Sequence, residues 1–373
     1  MAIPMVDLQL HYQRWRHEFE TAVLHTLADA HYVFGPQIAE LEKTIAAYLK
    51  VPHGIAVASG TDALVLSLAA LGIGAGDEVL TTPFTFIATA EAISRVGARP
   101  VFCDICPQTY NIDPAEIARK YTPRTKAVII VHLYGCPCAL DEIGAFCRSR
   151  NIALIEDCAQ AFGARYREQP VGSFGICGCL SFFPAKNLGC FGDGGMVVTP
   201  DEALARKIQM LRNHGCEQRY FHKIHGFNSR LDTLQAAVLL VKMRYIELTI
   251  AERIAHARQY ADLLESVPGI RVPVVPPDVR HSFNYYTIRI AAGRRDSVQR
   301  RLQEQGIAQA VYYPLSLHLQ DVYAELGYRP GDFPQAEQAQ REVLSLPLYP
   351  ELTGAQISEI AAAVKKAVSD GAV

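Results

Sequence analysis

Lys186 stands in the run SFFPAKNLGCFGDGGMVV (181–198), after an apolar stretch and Pro184 and before Gly189, Gly192, Gly194 and Gly195. Apolar surroundings disfavour a charged amine, so a lysine in such a place has a depressed pKa and becomes a nucleophile toward carbonyl groups. That makes Lys186 a candidate Schiff-base residue, with a surface lysine in a polar turn as the plain alternative. In ALIEDCAQAFGA (153–164), Glu156 and Asp157 close a strand-like run and Gln160 follows. A carboxylate such as Asp157, at the carboxyl edge of an open α/β sheet, can pair with a protonated pyridine nitrogen. Pyridoxal phosphate needs that partner if its ring is to accept electrons when a proton leaves a substrate carbon. Asp157 would serve equally as the N-cap of the next helix.

Two further segments suit the same cofactor. VASGTDALVLSLAALG (57–72) reads as a strand end, Ser59-Gly60-Thr61, and a helix. Free amides at a helix N-terminus, with the positive end of its dipole, cradle a phosphate, although Ser or Thr with Gly is also ordinary capping. The spacing lacks the glycine patterns of dinucleotide and nucleoside-triphosphate loops. TTPFTFIATAEAI (81–93) offers Phe84 and Phe86, either of which could stack on a flat ring or pack in the core. An amine, a pyridine partner, a phosphate cradle and an apolar platform together point to one cofactor more strongly than any does singly.

Positioning these groups requires a sheet. The runs at 54–58, 78–82, 99–103, 126–131 and 152–156 are short and apolar and alternate with helix-like stretches, the pattern of parallel strands with crossover helices. Two more strand-like runs, 179–183 and 195–199, flank the lysine segment, giving about seven strands in a large domain spanning 1–240. From 241 to 267 the sequence reads as one long helix that leads out of that domain. A smaller α+β domain (241–373) follows, with a strand at 283–290, a helix at 294–306, a short run at 310–313 and a closing helix near 354–368. The N-terminal segment is a candidate to pack on this smaller unit.

Composition narrows the classes. The chain has 373 residues, long enough for two or three domains and an interdomain cleft. Lys+Arg number 36 against 38 Asp+Glu, a balance that argues against a nucleic-acid partner. No apolar stretch approaches a membrane span, and the first residues lack a secretory signal's basic-then-apolar order, so a cytoplasmic protein is expected. The ten cysteines include a CxxC (Cys103, Cys106) and two CxC pairs (Cys136/Cys138, Cys177/Cys179). Buried thiols and no metal are the expected reading, because the pairs fall inside strand and helix patterns, not in a small loop-rich module. A zinc-dependent enzyme built on them is the alternative.

The segments YVFGPQIAELE (32–42), SGTDAL (59–64), PFTFIATAEAI (83–93), YNIDP (110–114), IEDCAQAFGA (155–164), SFFPAKNLGCFGDGG (181–195), NSRLDTLQAAVL (228–239) and LSLPLYPEL (344–352) resemble, in order and over nearly the whole chain, the fold-type I pyridoxal-phosphate enzymes, and among them the DegT/StrS-type sugar aminotransferases. The resemblance implies that Lys186 carries the cofactor and shuttles a proton. It further implies that Asp157 binds the pyridine nitrogen, Gln160 lies by the ring's phenolic oxygen, Gly60, Thr61 and Ser181 hold the phosphate, and Phe86 stacks on the ring. Asn228 would reach the phosphate of the neighbouring subunit, so a homodimer with shared active sites is implied. L-glutamate would be the amino donor and a nucleotide-linked keto-sugar the acceptor. Related sugar dehydratases carry histidine where Lys186 stands, so this chain resembles a transaminase.

NSRLD (228–232) is more similar to members that aminate carbon 3 of the sugar than to those that aminate carbon 4, and implies that Arg230 contacts the sugar across the interface. A salt bridge with Asp232 is the competing role for Arg230. Where the group usually reads His-Tyr-Pro, this chain reads Tyr312-Tyr313-Pro314, a departure that leaves Tyr312, Tyr313 and His318 as substrate-binding candidates. Amination at carbon 4, amination of a keto-cyclitol, and a non-catalytic regulator of the same fold are the alternatives.

Overall fold

Short Val-, Ile- and Leu-rich runs bounded by Gly, Pro and polar residues form the strands of a central sheet. The computed structural model describes residues 2–291 and 293–369. The seven strands are β1 His53–Val57, β2 Glu78–Thr81, β3 Arg99–Phe102, β4 Thr125–Val131, β5 Ala153–Asp157, β6 Cys177–Ser181 and β7 Gly195–Thr199, in the order β1-β7-β6-β5-β4-β2-β3. β7 alone among them runs antiparallel to its neighbours.

The two-residue period of β4 and its neighbours divides the core. Ala127, Ile129 and Ile155 face the helix Gly60–Ala70, whose Leu64, Val65 and Leu68 bury against them. Val128, Ile130 and Leu180 face the opposite way, toward Leu41 and Ile45 of the helix Pro36–Tyr48 and Ile143 of the helix Leu140–Arg150. With both faces covered, the central strands read as continuous apolar runs, as parallel sheets require.

Beyond residue 243 the character changes. β8 Ile270–Arg271, β9 Tyr286–Ile290 and β10 Val343–Leu346 form an antiparallel sheet with β9 in the middle. Helices Ile246–Leu264, Arg295–Glu304 and Gly354–Ser369 accompany it around a core that includes Tyr260, Tyr286, Ile288, Leu344 and Ile360. Ile3 joins this core and is tied to it by Ile3 N–H to Gly306 O and Ala308 N–H to Ile3 O, each 2.9 Å.

The helix expected over 241–267 is two helices, Thr233–Met243 and Ile246–Leu264, interrupted at Arg244 and Tyr245. The Tyr245 ring stacks on Trp15 at 4.7 Å and its hydroxyl donates to Glu18, so packing against the N-terminal helices sets the break. The run 310–313 forms no strand; only Ala310 bridges to Ser345. Among the described residues no helix is long and apolar enough to cross a membrane. All ten cysteines are free thiols, and Cys106 Sγ turns to Gln108 Oε1 at 2.9 Å.

Candidate active site

The carboxyl ends of β1, β5 and β6 open on one cavity of about 540 Å³, closed on its far side by Tyr285, Tyr312 and Tyr313. Lys186, Asp157, Gly60, Thr61, Phe86, Gln160, Ser181, Tyr312 and Tyr313 all line it.

Lys186 sits in a turn after β6, held by its own amide to Phe183 O at 2.9 Å and by its neighbour Asn187, whose Nδ2 donates to Ser282 O at 3.0 Å. Gly189 is required there, because a Cβ would stand 2.4 Å from Pro184 O. Burial pushes the Lys186 amine down to about 8, against the pull of the Asp157 carboxylate. A substantial neutral fraction near neutrality is what a nucleophilic amine needs.

Asp157 ends β5 and is buried. Its Oδ1 accepts from Ala159 N–H at 3.1 Å and its Oδ2 from Thr89 Oγ1 at 2.8 Å. Burial raises its pKa above the ordinary carboxylate value, while those two donors and Lys186 oppose the rise. The residue therefore acts as a buried acceptor, and its bond to Ala159 N–H makes it partly the cap that the sequence also allowed.

Gly60 and Thr61 occupy the first two positions of the helix Gly60–Ala70, where amides have no intrahelical acceptor, and Ser59 Oγ caps Asp62 N–H at 3.1 Å. A Cβ at position 60 would lie 2.7 Å from Ser181 Cβ, so the tips of β1 and β6 approach closely enough to form one cradle. Phe84 and Phe86 part company: Phe84 is fully buried against Tyr110, whereas Phe86 is 55% exposed and lines the cavity. Gln160 accepts from Tyr134 N–H at 2.8 Å and donates from Nε2 to Tyr313 Oη at 2.8 Å.

Three candidates lie outside this chain's cavity. Asn228 is exposed and pairs by a backbone bridge with Asn213. Arg230 Nη1 donates to Asn213 Oδ1 at 3.2 Å, and among the described residues it makes no ion pair with Asp232. Between them Ser229 fastens the segment to the cradle helix, donating to Asp62 Oδ2 at 2.6 Å. His318 does not replace the missing histidine of the Tyr-Tyr-Pro segment: it is buried against Phe333 at 4.6 Å with Nε2 toward Glu337 Oε1 at 3.2 Å.

Sequence reasoning missed Thr85, Thr89, Phe183, Asp193 and Tyr285, which also line the cavity. Thr85 lies in the bend before the helix Ala88–Arg95 and Thr89 in its first turn, their hydroxyls 3.3 Å apart, and the repeated threonine in TTPFTFIAT was the available signal. His132, Glu156 and Cys158 bring three ligand-type atoms within 4.8 Å of one another. The His132 nitrogens are engaged with Cys138 N–H and Glu156, and Glu156 also accepts three backbone amides, from Gly172, Phe174 and Gly175. These bonds fasten β5 to the loop before β6.

An apolar-walled cavity with a depressed lysine, a buried carboxylate and a helix N-terminus suits pyridoxal phosphate. The chain matches the DegT/DnrJ/EryC1/StrS aminotransferase family over residues 13–365 and belongs to it. Enzymes of this family use pyridoxal phosphate on the fold-type I scaffold. It is 47% identical over 355 residues to a protein of Geobacillus stearothermophilus named pleiotropic regulatory protein, covering 94% of this chain and 95% of the relative. It is 46% identical over 365 residues to a UDP-N-acetyl-3-dehydro-alpha-D-glucosamine 3-aminotransferase of Acidithiobacillus ferrooxidans, with 98% of each covered. The crystal structure of DesV from S. venezuelae superposes with a TM-score of 0.96 at 40% identity over 98% of both chains.

Proposed function

We propose that this chain is an aminotransferase that moves an amino group from L-glutamate to carbon 3 of a nucleotide-linked keto-sugar, for amino-sugar and polysaccharide or glycoside biosynthesis. The observation that carries the reading is the depressed Lys186 amine facing the buried Asp157 in one cavity. Two relatives' names, that of the 3-aminotransferase and that of a dTDP-3-amino-3,4,6-trideoxy-alpha-D-glucose transaminase at 40% identity, support carbon 3.

When bound, pyridoxal phosphate supplies an aldehyde and an electron-accepting ring. Lys186 would hold the cofactor through Nζ and, once a substrate amine has displaced that nitrogen, the freed amine would take and return the proton of the substrate carbon that gains or loses nitrogen. Asp157 would keep a proton on the pyridine nitrogen, and Thr89 and Ala159 hold Asp157 in place for it. Gly60, Thr61 and Ser181 would hold the phosphate, Phe86 would supply an apolar wall for the ring, and Gln160 would serve its phenolic oxygen. Tyr312 and Tyr313 contact the sugar. Asn228 and Arg230 serve the partner subunit's cavity, a reading supported by their position outside their own, so the working unit is a homodimer with shared sites.

We also place the division between the large and small domains at residue 240 and the enzyme in the cytoplasm, where ten unpaired thiols are at home. The first test is absorbance spectroscopy: L-glutamate should convert the bound cofactor to its amino form with release of 2-oxoglutarate, and the loaded protein should then aminate a 3-keto nucleotide sugar of uridine or thymidine and return to the aldehyde form. Turnover of 4-keto sugars alone would overturn carbon 3, and no response to glutamate would favour a regulator. Lys186→Ala should abolish the conversion and leave the circular dichroism spectrum unchanged.

A further inference from the structure

Tyr134 follows β4 and does not line the cavity, yet each of its polar groups holds a residue that does. Its N–H donates to Gln160 Oε1 at 2.8 Å, its C=O accepts from Tyr285 N–H at 3.4 Å, and its phenol donates to the carbonyl of Tyr312. This needs φ of 59° at a buried tyrosine, a left-handed conformation that a bulky residue keeps only where the surroundings over-determine it.

The first bond settles a chemical direction. Because a backbone N–H can only donate, Gln160 must turn its oxygen to Tyr134 and its amide nitrogen to Tyr313. The Tyr313 oxygen is then an acceptor from Gln160, and its own proton is left over. Among the described residues no acceptor takes that proton, and the phenol faces the cavity. Burial raises the Tyr313 pKa well above that of a free phenol, so the proton stays in place.

We propose that Tyr134 is a positioning residue whose phenol, by holding the Tyr312 carbonyl, fixes the Tyr313 hydroxyl, already paired with Gln160, as a hydrogen-bond donor to an oxygen of the keto-sugar. The inference rests on the aminotransferase reading. Its test is a double-mutant cycle on the holoenzyme with Tyr134→Phe, Tyr313→Phe and the pair, read as kcat and KM for the nucleotide sugar and as its dissociation constant from the amino-loaded form by calorimetry. One hydrogen bond lost to the ligand should raise KM and the dissociation constant about three- to tenfold in each single variant, with kcat little changed. The pair should be no worse than Tyr313→Phe alone, since one residue acts through the other. Additive losses, or a Tyr134→Phe variant that binds sugar like the parent, would falsify the positioning role. A parent enzyme that fails to exchange its amino group with glutamate would instead remove the aminotransferase reading itself.

Discussion

A buried amine titrates earlier than a free one, and Lys186 is such an amine. Its neutral fraction should reach one half near pH 8, so brief acetylation of the cofactor-free protein, read by peptide mass spectrometry, should rise through that pH and level off. An ordinary lysine would keep gaining reactivity to beyond about pH 10; a Lys186 profile of that kind would remove the depressed amine. Thr89 supplies a second test at this scale. The carboxylate of Asp157 gains one of its two bonds from the Thr89 hydroxyl, and Thr85 Oγ1 stands 3.3 Å behind it. Thr89→Val keeps the shape and deletes the donor, so the Asp157 carboxyl should protonate at higher pH and the bound cofactor's absorbance titration should move upward; Thr89→Ser should restore it. Lys186 and Asp157 were legible in sequence because each closes an apolar run beside distinctive neighbours. Thr89 and Tyr134 were not, since a threonine on a helix and a tyrosine after a strand have many uses and only the fold shows what their donors meet.

Elements were legible where period and punctuation agreed. The lysine-flanking run at 195–199 is the strand found, and the other six of the central sheet differ by one or two residues at their ends, as at 177–181 where 179–183 is expected, while the strand expected over 283–290 begins only at Tyr286. The long helix failed because nothing local marks Arg244 and Tyr245; the stacking of Tyr245 on Trp15, over two hundred residues away in sequence, decides the break. At the helix Gly60–Ala70 the demand is steric, with Ser181 Cβ 2.7 Å from where a side chain would begin. Gly60→Ala should therefore weaken cofactor retention about tenfold or more while the helix itself gains propensity. Equilibrium dialysis against pyridoxal phosphate measures the first effect and thermal unfolding the second; unchanged retention would mean that the cradle lies elsewhere.

At the scale of the molecule, the proposed sharing of a site between subunits makes a prediction that no single chain can satisfy. The Lys186→Ala protein, inactive alone, and the Asn228→Ala protein, weak alone, should regain activity when co-refolded, because a mixed dimer would hold one site with both residues intact; random pairing limits recovery to about a quarter of the parent. Recovery no greater than the sum of the two would remove the shared site. The order of the strands has a further consequence, for synthesis. β1 pairs with β7 alone, some 140 residues later in the chain. A nascent chain emerging from the ribosome can close β2, β3, β4 and β5 on one another, but β1 waits with an open edge until β7 has been made. The lysine turn lies between β6 and β7, so the last strand of the central sheet to be translated is also the one that packs against Ser59 and Gly60 at the proposed phosphate cradle. A pause in translation shortly before residue 195 would leave a nearly complete sheet with no binding site, and holding chaperones would be needed most at that moment.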